Sequence, residues 1–203
     1  MDASIHLPEP QKTGGKPLMD CLNERHSTRA YKRDEVPPQE LSNLLWASFG
    51  VTRPDSGTGI GHDGSHTAPC ACNSQSIDIY VALPKGLFLY EPHAHELQPA
   101  LAEDIRPHLD HPAQRFALEA PLHLFYVVDY SRMVLFGGGE WDKQVLPFAD
   151  SAFMAENVYL YCASAGLSTV IRALLDRKRL AEVFGLRPDQ FVTLSQTIGY
   201  AAS

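Results

Sequence analysis

The chain has 203 residues, 44% of them hydrophobic, with 17 Lys and Arg against 24 Asp and Glu for a net charge of −7. A chain of this length can bury roughly 70% of the surface exposed by its unfolded form, so one core needs neither metal nor disulfide support. The acidic balance argues against a dedicated nucleic-acid surface, no window approaches a membrane span, and four cysteines are too few for a disulfide scaffold.

Residues 1–16 lack periodicity and read as an extended arm ahead of a single domain over residues 17–203. Its start shows no basic region followed by an apolar one, so no signal peptide is visible and a cytoplasmic location is expected. Pro17 suits a first helical position, with Leu18, Cys21 and Leu22 on one face of a short helix that ends at the basic cluster from Arg25. Pro38 starts a second helix, in which Leu41, Leu44, Leu45, Ser48 and Phe49 draw a mostly apolar stripe stopped by Gly50. Residues 51–67 (VTRPDSGTGIGHDGSHT) keep no period and predict a long loop of the kind that is more often functional than idle.

Residues 77–83 and 87–90, joined by a Pro-Lys-Gly turn, predict a β-hairpin. Leu97, Leu101, Ile105 and Leu109 recur at every fourth position and predict a helix despite Pro99. Residues 122–128 (LHLFYVV) predict a central strand, and Gly137, Gly138 and Gly139 open a second loop through Trp141 and Pro147. Phe153, Asn157, Leu160, Tyr161 and Ser164 trace a long helix ending near Gly166; a shorter helix covers residues 176–184 with Gly185 as its stop. Residues 191–198 predict a last strand, giving an α+β domain with neither linker nor internal repeat.

Two segments carry residues suited to chemistry. Arg25 and Arg29 flank Ser27, so two planar cations and a short hydroxyl could clamp a phosphate; the alternative is a solvated patch paired with Glu24 or Asp34. Asn73 and Gln75, in the segment from Ala68 through Pro69 and Cys70, offer donor and acceptor together for a heterocycle edge, or else satisfy a turn. His62, His66, Cys70 and Cys72 form an unusual spacing capable of zinc ligation, with ordinary loop histidines and cysteines, or redox-active cysteines, as the alternatives. Trp46, Phe49, Phe153 and Tyr161 are assigned to core or subunit packing; Phe136 and Trp141 flank the Gly-rich loop and are pocket candidates for stacking on a planar substrate, with loop anchoring as the alternative. No phosphate-loop, metalloprotease or nucleophile-elbow motif is present.

In their joint order these pieces resemble the FMN-dependent nitroreductase family, including its dehydrogenase-like branches. Arg25, Ser27 and Arg29 match its Arg-x-Ser-x-Arg/Lys opening, and Pro69, Asn73 and Gln75 its Pro-Ser-x-x-Asn-x-Gln segment, with Cys70 in place of serine. Asn157 with Gly166-Leu167-Ser168, and the closing Gly199-Tyr200, match two further pieces. The resemblance implies a central, mostly antiparallel sheet surrounded by helices, and a homodimer with two FMN sites at the subunit interface. It also implies NADH or NADPH as donor and a small planar acceptor such as a nitroaromatic or quinone. Within that picture Arg25, Ser27 and Arg29 go to the phosphate side of the flavin and Asn73 to the isoalloxazine edge. Val170, Ile171, Arg172 and Ala173 fall beside the reactive face, in place of the Pro-Ile-Glu-Gly of some members. Arg172 is the candidate for a basic contact that members often supply beyond Gly-Tyr; its alternative is a salt bridge to Asp176 on one helical face. Flavin-dependent dehydrogenation of another substrate class, or a non-catalytic flavin- or zinc-binding domain, stays open at this point.

Overall fold

The computed structural model of the chain describes residues 4–56, 64–109, 111–133 and 138–202. In chain order the elements are β1 (Ile5–His6), α1 (Leu18–Glu24), α2 (Pro38–Phe49), β2 (Val51–Arg53), β3 (Ser65–His66), β4 (Ile77–Leu83), β5 (Gly86–Glu91) and β6 (Glu96–Leu101). After two short 3-10 segments follow β7 (Leu122–Asp129), α3 (Glu140–Ala165), β8 (Ser168–Arg172), α4 (Arg177–Phe184) and β9 (Gln190–Gly199).

Seven strands form one sheet in the order β1-β6-β5-β4-β7-β9-β8, and every neighbouring pair is antiparallel. The expected α+β fold with a central antiparallel sheet is therefore what the chain adopts. All eight residues of β7 are buried, which is why its sequence reads as a nearly unbroken apolar run. Leu122, Leu124, Tyr126 and Val128 pack with Leu44, Leu45 and Phe49 of α2 and Met154 and Val158 of α3. Phe125 and Val127 point to the opposite layer, against Ile105, Leu109 and Leu180 of α4.

Local chemistry sets the helix ends. Pro17 stands just before α1 rather than inside it. Gly50 ends α2 where the chain passes its own helix: a Cβ there would lie 2.2 Å from Trp46 Cδ1. The Asp176 carboxylate accepts the Arg179 N–H at 3.0 Å to start α4, and Gly185, at φ 65°, stops it.

Several expectations are corrected. The loop over residues 51–67 has paired ends, since β2 and β3 form a two-stranded ribbon with Val51 opposite His66. The helix expected from Leu97 to Leu109 is β6 followed by a 3-10 segment over Arg106–Leu109. Apolar residues four apart suit a period of two as well as one of 3.6, and Pro99 lies in β6 beyond the two residues paired with β1, where no N–H is demanded. The second loop is also helical. Trp141 and Pro147 both lie in the 26-residue α3, which begins where Asp142 Oδ2 accepts the Gly139 N–H at 2.8 Å. Pro147 removes one helical hydrogen bond, and burial on the sheet side offsets the loss. Finally, residues 168–172 form the edge strand β8, so Arg172 and Asp176 do not share a helical face.

The arm crosses the sheet edge as β1, and is tied farther on by Gln11 N–H to Asn43 Oδ1 at 2.8 Å and Lys16 N–H to Ser164 Oγ at 2.8 Å. Among the described residues no helix is long and apolar enough to cross a membrane.

Candidate functional site

The segment from Arg25 to Arg29 leaves α1 and lies along the outer edge of β8. The Thr28 N–H donates to Thr169 O at 3.0 Å, and beyond it Lys32 N–H donates to Tyr200 O at 2.9 Å. Tyr159 of α3 is the hub beneath this segment. Its phenol oxygen accepts the Ile171 N–H of β8 at 3.0 Å and shares a hydrogen bond with Ser27 Oγ at 2.9 Å. The Arg25 guanidinium sits over its ring, 5.3 Å from the centroid. One tyrosine thus fixes both a cation and a hydroxyl.

These groups border a cavity of about 240 Å³, whose wall includes Arg25, His26, Thr28, Tyr159, Gly166 and Thr169. Glu24 is engaged by Lys16, Nζ to Oε2 at 2.6 Å, so the pairing of Arg25 with Glu24 considered from sequence is not made. Neither Arg25 nor Arg29 forms an ion pair with the described residues. Arg29 and Ser27 are exposed residues of the same segment, with the Ser27 hydroxyl turned to Tyr159. Two cations with no carboxylate partner among the described residues, beside a hydroxyl, make a donor set suited to a phosphate.

The second segment is a strained turn. Between exposed Pro69 and buried Ser74 the chain makes a 3-10 turn over Ala71–Asn73, with Cys72, Asn73 and Gln75 at φ 53°, 49° and 46°. Asn73 Nδ2 and Gln75 Nε2 both donate to Gly64 O, at 3.1 and 3.3 Å, so the two amides are drawn to one point. Cys70 Sγ lies 3.9 Å from Asn73 Oδ1, and burial pushes its thiol up. Beneath the turn, buried Asp150 of α3 accepts the Ala71 N–H at 3.0 Å; burial raises its carboxyl to about 6.

His66 stacks on Phe49 at 3.9 Å between centroids, its Nδ1 is 2.9 Å from Phe49 O, and burial lowers its basicity. This is a packed histidine. Of the proposed zinc ligands His62 lies outside the described residues, and no group of three His, Cys, Asp or Glu suited to a metal occurs among the described ones.

Among the described residues, the wall of the Arg25 cavity includes no residue of the Pro69–Gln75 segment. Tyr159 and Asp150, the respective anchors of the two segments, are nine residues apart on α3, about 14 Å along its axis. Ile171 reaches the first site through its backbone N–H. Arg172 is only 3% exposed, donates from Nε to Gln114 Oε1 at 2.8 Å, and is absent from the wall of the Arg25 cavity. Burial lowers its guanidinium to about 10, and it makes no ion pair with a carboxylate among the described residues. Phe136 lies outside the described residues, and Trp141 is 73% exposed on the first turn of α3. Sequence reasoning missed Tyr159 and Asp150; both lie on the helix singled out for Asn157, and an acid within a mostly apolar helical stretch was the available signal.

A match to the nitroreductase family spans residues 22–200, nearly the whole folded unit. The chain belongs to the nitroreductase family. It is accordingly an oxidoreductase. It is 30% identical over 161 residues to a protein of Methanocaldococcus jannaschii assigned to the nitroreductases, covering 75% of this chain and 76% of that one. A crystal structure of a Ralstonia eutropha JMP134 protein, likewise assigned to the nitroreductases, superposes with a TM-score of 0.89 at 43% identity, covering 100% of this chain and 91% of that one. The NADPH:FMN oxidoreductase of Vibrio harveyi, solved with NAD+, shares the fold at 15% identity and a TM-score of 0.67, covering 92% of this chain and 69% of its own. For this nitroreductase family chain, the matched region includes both the Arg25 and the Asn73 segments.

Proposed function

We propose that the chain binds FMN and passes reducing equivalents from NADH or NADPH to a small planar acceptor such as a nitroaromatic or quinone. The observation that carries this reading is the Arg25–Tyr159–Ser27 arrangement beside a cavity of about 240 Å³: a cation without a carboxylate partner, held in place with a hydroxyl at its side. A flavin phosphate matches that donor set, with Arg25 and Arg29 supplying charge and Ser27 a directed hydrogen bond. Asn73 and Gln75 supply amides for the edge of the isoalloxazine, and Pro69 and Cys70 complete that segment. Arg172, held at Gln114, is assigned away from the phosphate. FMN, when bound, supplies the hydride and electron transfer, while the chain's residues bind it, orient it and limit water.

We propose a homodimer as part of the same reading. Trp141, Val145 and Phe153 are exposed along α3, and Leu18, Met19 and Leu22 along the adjacent α1. Such apolar exposure suits a second copy, which would bring a second wall to the cofactor site. Fluorescence titration of the purified chain with FMN tests the reading. Saturable binding, weakened in Arg25→Ala and in Asn73→Ala, supports it; absence of binding after reconstitution overturns it.

A further inference from the structure

Asp150 is a poor choice for stability. It is 2% exposed in the middle of α3, and Oδ1 accepts one hydrogen bond, from Ala71 N–H at 3.0 Å. Among the described residues no cation pairs with it: the influences on its carboxyl are burial, which raises it to about 6, and that backbone N–H, which opposes the rise. Among the described residues the Cys70 thiol, itself pushed up by burial, is a titratable group that feels the Asp150 charge. An unpaired buried carboxyl is normally replaced by an amide or an apolar group unless something else requires it.

The turn above it is a candidate for that requirement. Three non-glycine residues, Cys72, Asn73 and Gln75, lie in the left-handed region within four positions. Each such conformation is unfavourable for a residue with a Cβ and persists only where its surroundings over-determine it. From above, the Asn73 and Gln75 amides are tied to Gly64 O; from below, Asp150 holds the first N–H of the turn. Asn73 is thereby clamped from two sides.

We infer that Asp150 is a positioning residue of the cofactor site: its carboxylate anchors the Pro69–Gln75 turn to α3, holds Asn73 in its ring-reading conformation, and couples that conformation to pH. The inference rests on the flavin reading above. When Asp150 is ionised its hydrogen bond to Ala71 N–H is charge-assisted; when protonated, the bond is an ordinary one, a difference of about three- to tenfold in holding the turn.

Asp150→Asn is the decisive variant, since it keeps an oxygen acceptor and removes the charge. Affinity for FMN is read by flavin fluorescence from pH 5 to pH 8 on the full chain. The phosphate of FMN itself titrates near pH 6, so the quantity read is the ratio of the two proteins' affinities, repeated with riboflavin, which has no phosphate. The expected result is a parent chain binding about three- to tenfold more tightly than Asp150→Asn at pH 8, with the gap closing by pH 5. Hydrogen exchange of the Ala71 amide in the flavin-free proteins should diverge over the same range, and thermal melts confirm that both are folded. Equal affinities and equal exchange across the range overturn the inference while leaving the flavin reading intact. No FMN binding by the parent chain at any pH overturns both.

Discussion

Removing one oxygen from Tyr159 tests the organisation of the site more sharply than removing a charge. In Tyr159→Phe the ring stays under Arg25, but the acceptor of the Ile171 N–H and the partner of Ser27 Oγ are gone. Losing a net hydrogen bond costs about 0.5–1.5 kcal/mol, and an N–H stranded in a half-buried edge strand adds to that, so a total of about 1–2 kcal/mol is expected. For a domain of this size that lowers Tm by about 2–8 °C. FMN affinity should fall by about five- to tenfold, because Ser27 and the β8 edge lose their shared anchor. Tyr159→Leu removes the cation–π contact also, worth about a further 0.5–1 kcal/mol at a partly exposed site, and should scatter Arg25. Differential scanning calorimetry and flavin titration give both numbers from one preparation. A Tyr159→Phe protein equal to the parent in Tm and in affinity would refute the claim that this phenol organises the site.

Other perturbations have separate outcomes. Arg25→Ala should weaken FMN binding by about tenfold to a hundredfold, as expected for a charge-assisted contact, with exposed Arg29→Ala weaker in effect; titration at two salt concentrations checks this. His123 is buried in β7, where burial and then the nearby Arg172 and Arg106 hold its pKa down to about 3. Because the folded value lies below the unfolded 6.5, its contribution to stability is present above pH 6.5 and is lost as pH falls toward 3. His123→Phe should flatten that acid limb of a Tm-against-pH curve, and an unchanged limb would assign acid sensitivity elsewhere. The sign is opposite for Asp150, raised to about 6: its destabilising charge develops as pH rises from 4 to 6, so Asp150→Asn should have the higher Tm at pH 8. On the proposed dimer reading, replacing Trp141 and Phe153 with serine should shift sedimentation toward monomer while leaving the core melt in place, because both side chains are exposed on α3.

Much of the architecture was readable because burial and period coincide. β7 is apolar because both of its faces are covered, and α2 shows its stripe because one face meets the sheet. Reading failed where one pattern serves two periods. Leu97 and Leu101 fit a helix by spacing, but strand pairing with β5 decides their conformation. A loop through Trp141 and Pro147 is expected from the sequence, yet both lie in α3, which keeps its course because its buried face compensates for one missing bond. β8 was missed since five residues ending in a polar arginine carry little alternation, and its burial comes from β9 and from the layer that includes Gln114. The site divides in the same way. Arg25, Ser27, Asn73 and Gln75 were visible as chemistry-bearing types in a recognisable order. Tyr159 and Asp150 were not, because their roles arise from the side of α3 that meets each loop. Arg172 was visible but misplaced, because a strand edge rather than a helix carries it.

Anaerobic reduction of the FMN-reconstituted chain tests the central claim most directly. Addition of NADH or NADPH should bleach the flavin absorbance, and a nitroaromatic or quinone should restore it with stoichiometric loss of the acceptor. A chain that binds FMN but is reduced by neither nicotinamide would contradict the account.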